Sequence, residues 1–225
     1  MPMKPDAEIE ITAFRWVPPP AQGMVKDLRV RWALEEAGLD YRVRLIGMER
    51  PPGYSEDQPF NQVPCLRDGT VQIFESGALL QYIGEKSDAL LPHDPQGKYR
   101  AIQWTYAAVS SLEPFVQFRA LLNFVFADEE WAEPAKPTFD HYSRMRLQQL
   151  SDRLGEKIWL EGERFTIGDL MMVTVLRIAD RSGQLADFPN LAAYVKRGEA
   201  RPAFQQALSD QLAAFRENEP QGEAA

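Results

Sequence analysis

Residues 62–83 read QVPCLRDGTVQIFESGALLQYI, and three elements follow one another there without a spare residue. "PCLRDGTVQIF" reads as two short strands joined at Asp68-Gly69, the dipeptide that best tolerates the positive φ angles of a tight hairpin. "ESGALLQYIGEK" reads as a helix starting near Ser76, with Leu79, Leu80 and Ile83 on its buried side. Pro64 stands where the first strand begins, a place proline tolerates because the ladder asks no N–H of it. The stretch is a ββα unit.

Upstream, "EIEITAF" puts Ile9, Ile11 and Ala13 on one face of a strand. After the proline-rich "WVPPPAQG", the segment "MVKDLRVRWALEEAG" carries Val25, Leu28, Trp32 and Leu34 at helical spacing, and Gly38 is placed to end the helix. "YRVRL" alternates again, and a loop runs from Gly47 to about Gln62. A strand-helix-strand unit of this length implies parallel strands with a right-handed crossover. The order βαβ then ββα is the thioredoxin-like arrangement, with a mixed sheet.

From Lys98 the pattern is helical throughout, with a bend expected near Pro114, which removes one backbone donor. The boundary falls in "SDALLPHDPQG". The expected organisation is a thioredoxin-like domain over residues 1–88, a linker over 89–97 and an all-helical domain over 98–225, its tail "ENEPQGEAA" frayed.

A chain of 225 residues that is 44% hydrophobic can bury a sizeable core. A net charge of -8 argues against nucleic acid or an anionic membrane as a partner, since both require clustered cations. No apolar run reaches the roughly 20 residues of a membrane span, and "MPMKPDAEIE" lacks the apolar core of a signal peptide. A single cysteine forms no internal disulfide, which fits a cytoplasmic location. His93 and His141 have no Cys or His partner at ligand spacing, so no metal is expected.

Three motifs carry the functional reading. A proline at Val63-Pro64, if cis, turns the backbone N–H and C=O of Val63 outward to pair with a peptide as an added strand would; the alternative is an ordinary trans proline opening an edge strand. Glu75 and Ser76 stand at a helix N-terminus, where free N–H groups favour a carboxylate. Ser76 could donate to that carboxylate and Glu75 could take the neighbouring ammonium, or Ser76 could only cap its helix. Thr166 and Asp169 have capping-box spacing, with Phe165 and Leu170 as the staple, and are a folding signal.

Taken together, "QVPCLRDGTVQIFESGALLQYI", "VRWALEEAGL" and "LEGERFTIGDL" resemble the soluble glutathione S-transferase family, in its bacterial form, and the likeness runs over nearly the whole chain. The resemblance implies a homodimer that binds glutathione as cosubstrate. Residue by residue, it implies that Gln62 and Val63 contact the peptide, that Pro64 is cis, and that Glu75 and Ser76 hold the γ-glutamyl end. It implies a transferase joining glutathione to a small hydrophobic electrophile in detoxification, with peroxide or mixed-disulfide reduction, or binding alone, as alternatives.

The pattern fails at one place. The family activates the thiol with Tyr, Ser or Cys near the first helix, yet no Ser, Thr, Tyr or Cys lies between Phe14 and Leu39. The Ser/Cys position falls near Met24 and the Tyr position near Phe14. One reading has the amides of Met24 and Val25, with Gln22, Lys26 or Arg29, stabilise the thiolate; the other has the fold bind without catalysis, with Lys26 and Arg29 facing solvent. Cys65 reads as a packing residue pointing away from Val63. A hydrophobic pocket is expected between the domains from Trp16, Tyr106, Phe115 and Phe118.

Overall fold

Strand β1 (Ile9–Phe14) organises the first half of the chain: it pairs in parallel with β2 (Tyr41–Ile46) and antiparallel with β3 (Cys65–Asp68), which pairs with β4 (Val71–Phe74). The computed structural model describes residues 2–220, and the sheet order is β2-β1-β3-β4. Helix α1 (Asp27–Ala37) makes the crossover between β1 and β2 and stops at Gly38, which takes a left-handed φ of 64° that a side chain would resist. The β3–β4 turn has its positive φ at Gly69, and α3 (Ser76–Glu85) follows β4 directly. The mixed thioredoxin-like sheet expected from the order of elements is therefore present.

Two features of this unit were not in the sequence reading. The loop from Gly47 contains a single helical turn, α2 (Tyr54–Asp57), too short to show a period. The second is α9 (Pro202–Glu217), expected with the helical half of the chain. One compact unit runs to Ser87 and resumes at Pro202, and a second is Asp88–Arg201. Packing of α9 on α1 explains the return: the Trp32 and Phe204 rings meet edge to face at 4.9 Å, and Gln211 Nε2 donates to Asp27 Oδ1 at 2.7 Å. Asp27 also takes Arg31 Nε at 2.8 Å, so this buried acid is paired on both oxygens. The last five residues of the expected frayed tail lie outside the described residues.

The second unit is all-helical among the described residues. Helix α4 (Pro95–Ala107) is capped by Asp94, whose Oδ1 accepts the Gly97 N–H at 2.7 Å. It runs through one π-type turn at Ala108–Leu112 into α5 (Glu113–Phe124), with Pro114, which has no N–H to donate, in its first turn. Then come α6 (Ala132–Leu154), α7 (Ile167–Arg181) and α8 (Pro189–Glu199). The capping box at Thr166 and Asp169 is formed, and Asp169 further accepts the Leu160 N–H and the Tyr194 hydroxyl, both at 2.8 Å. Burial raises the Asp169 carboxyl against these donors.

Candidate functional site

Register places the candidate residues. Ile11 lies opposite Leu66, Phe14 beside Ile46 and Cys65 opposite Phe74, so the ends of β1, β2 and β4 and the start of β3 share one end of the sheet. Val63-Pro64 leads into that end and Glu75-Ser76 leads out of it.

The Val63-Pro64 bond is cis, as the resemblance implied. Neither the amide nor the carbonyl of Val63 forms a hydrogen bond among the described residues, while its side chain packs with Ile46, Tyr54 and Cys65. Val63 and Cys65 thus share one apolar cluster, and Cys65 does not point away from Val63. Two residues apart in an extended chain, they fall on the same side. The packing role expected of Cys65 stands: it is 2% exposed, and burial raises its thiol pKa despite contacts from Tyr54 and Thr12. Gln62 is exposed, and its carbonyl accepts the Tyr54 hydroxyl at 2.7 Å.

Glu75 is the residue before α3 and adopts a φ of 71°, a sparsely populated conformation for a side chain of its size, with the carboxylate exposed. Ser76 is the first residue of α3, and the N-cap position before it is held by Glu75, whose side chain makes no cap bond among the described residues. The buried Ser76 Oγ receives Arg29 Nη1 at 3.1 Å. Arg29 is 3% exposed and does not face solvent. The helix reading allowed α1 one buried face, but α1 packs on β1, α3 and α9, so every residue from Asp27 to Leu34 is buried.

The first loop gives less than its reading asked for. Helix α1 begins only at Asp27, and the Met24 N–H donates to the Ala21 carbonyl at 3.0 Å. Gln22 Nε2 donates to the Val17 carbonyl at 3.1 Å. The Val25 N–H has no hydrogen bond among the described residues. Trp16 is half-buried, and its Nε1 is buried without a hydrogen-bond partner among the described residues. In the helical unit, the rings of Phe115 and Phe118 stack on Tyr142 and Phe139 of α6, at 5.8 and 5.4 Å, whereas Tyr106 is exposed.

Sequence reasoning passed over Thr12 and Tyr54. Thr12 alternates with the buried face of β1 and reads as a solvent position; Tyr54 sits in a loop with no period. Both are 2% exposed, and both hold backbone beside Val63-Pro64.

A thioredoxin-like unit with a cis-proline loop, followed by an all-helical segment that opens α7 with a buried capping box, defines a class of two-part proteins. The N-terminal domain model of the glutathione S-transferases matches residues 28–86 and the C-terminal domain model matches residues 117–202. The chain belongs to the glutathione S-transferase family. It is 30% identical over 189 residues to the glutathione S-transferase GstA of Escherichia coli O157:H7, covering 78% of this chain and 89% of that one. It is 28% identical over 187 residues to the disulfide-bond oxidoreductase YfcG of Escherichia coli K12, covering 78% and 86%. In fold it is similar to a glutathione transferase family member from Pseudomonas fluorescens solved with two glutathione bound, with a TM-score of 0.78, 24% identity, and coverage of 90% of this chain and 92% of that one.

Proposed function

We propose that the protein is a glutathione-dependent transferase that joins the thiol of glutathione to a small hydrophobic electrophile. The observation that carries this reading is the buried Arg29 guanidinium on Ser76 Oγ at the head of α3, beside the exposed Glu75. A cation, a hydroxyl and the free N–H groups of a helix N-terminus suit a carboxylate, and a carboxylate next to them suits its ammonium neighbour. Together they describe an α-amino-acid head group. The N–H and C=O of Val63, without a hydrogen bond among the described residues and next to Pro64 and Gln62, suit the middle of a short peptide.

The Val25 N–H ahead of α1 is the group best placed to hold a thiolate, because the amides of Met24 and Gln22 are already engaged. A free thiol has a pKa of about 8.5, and a helix N-terminus lowers it. The thiolate sulfur attacks an electrophilic carbon, forming the C–S bond as the leaving group departs with its electron pair. Trp16 is the aromatic residue of the first loop proposed for the electrophile, and the family resemblance supports a homodimer.

Titration calorimetry with glutathione, followed by ultraviolet titration of the bound thiol, tests the reading. Millimolar glutathione without heat would sink it. Binding with an unshifted thiol would favour the second reading, a protein of this fold that binds glutathione without catalysis. The absence of any Ser, Thr, Tyr or Cys between Phe14 and Leu39 supports that alternative.

A further inference from the structure

We propose that Tyr54 and Thr12 form a hydroxyl relay that positions the Val63 backbone for its ligand; the inference rests on the glutathione reading above. The directions of the hydrogen bonds follow from counting protons. The Gln62 carbonyl can only accept, so at 2.7 Å it takes the one hydroxyl proton of Tyr54. At 3.0 Å from Tyr54 Oη, Thr12 Oγ1 must then donate to it. The lone pair left on Thr12 accepts the Cys65 N–H at 2.8 Å. The chain therefore runs from the Cys65 N–H through Thr12 and Tyr54 to the Gln62 carbonyl, with every donor matched to one acceptor.

Its two ends grip the backbone on either side of Val63-Pro64. Pro64 has no N–H, and the Val63 N–H and C=O make no bond among the described residues, so the relay secures the flanks and leaves those two groups for a peptide. Both hydroxyls lie in residues only 2% exposed, where water does not compete and successive hydrogen bonds polarise one another. Tyr54 comes from α2 and Thr12 from β1, so a rigid strand is tied to the loop that precedes β3. Burial raises the Tyr54 hydroxyl pKa well above its ordinary value, so it remains a donor throughout the working range. Tyr54 and Thr12 are positioning residues: they act on the ligand through Gln62, Val63 and Cys65.

The test compares Tyr54→Phe, Thr12→Val and Thr12→Ser in the full chain. Tyr54→Phe and Thr12→Val are each expected to weaken glutathione binding about fivefold, on the scale of one lost hydrogen bond, with the loss falling on KM for glutathione rather than on kcat. Thr12→Ser keeps the hydroxyl and is expected to restore the affinity. Without ligand, hydrogen exchange at the Cys65 amide should quicken in Tyr54→Phe and Thr12→Val. Should Thr12→Val fail to fold, Tyr54→Phe carries the test, since it removes a single oxygen. Wild-type affinity in folded Tyr54→Phe overturns the relay and leaves the glutathione reading standing, as does a lower melting temperature with unchanged affinity. A wild-type protein that binds no glutathione overturns the reading and the relay with it.

Discussion

Arg29 on α1 donates to the hydroxyl of Ser76 at the first turn of α3, 3.1 Å away and 47 positions on in the chain. The contact joins two helices at the end of the sheet where Val63-Pro64 enters. It places a positive charge behind a helix N-terminus and orients the Ser76 hydroxyl.

The proposed glutamyl site has a direct consequence for affinity. Ser76→Ala should weaken glutathione binding about tenfold, the scale of a hydrogen bond to a charged group. Arg29→Met should weaken it further, because it removes a cation facing a carboxylate. Calorimetry on both variants decides, and wild-type dissociation constants would rule the site out.

Cys65 should be chemically silent. Its thiol is buried and its pKa raised, so Ellman's reagent should find no reactive thiol in the folded protein and one per chain after denaturation. Cys65→Ala should keep its turnover and lose about 1 kcal/mol of stability to the small cavity. Inactivation of the folded protein by the reagent would reverse this assignment.

The last helix belongs energetically to the first unit. Phe204 is buried against Trp32, and Phe204→Ala should cost about 3–4 kcal/mol, the usual range for a large aromatic lost from a core. Urea unfolding followed by tryptophan fluorescence reads the change. A loss under about 1 kcal/mol would show that α9 is not part of that core.

Acid should act through Asp57. Burial pushes its carboxyl up, but hydrogen bonds from Arg44 and Arg67 outweigh burial and hold it below its ordinary value of 3.8. A carboxyl lowered in the folded state contributes stability that is present above the unfolded pKa and lost as pH falls through the folded one. The melting temperature of the wild type should therefore fall on going from about pH 5 to about pH 3, and Asp57→Asn should flatten that limb. Parallel curves for the two proteins would remove Asp57 from the acid response.

Much of this protein could be read along the chain, because the signals are local. Alternation in "EIEITAF", the stop at Gly38, the turn at Gly69 and the capping box at Thr166 and Asp169 each depend on a few neighbouring residues, and each is found where it was expected. The motif at Val63-Pro64 and Glu75-Ser76 could be recognised for the same reason. What each residue does there depends on contacts across tens of residues. Arg29 looked like a surface charge until α9 and α3 closed over α1 and it reached Ser76. Met24 looked like an open amide until the preceding loop turned back on it. Thr12 and Tyr54 carried no signal, since a hydroxyl is polar in any sequence window and becomes a structural donor only when folding removes its water and supplies one partner on each side. Local backbone preference fixed the elements, and burial of polar groups by distant segments decided their roles.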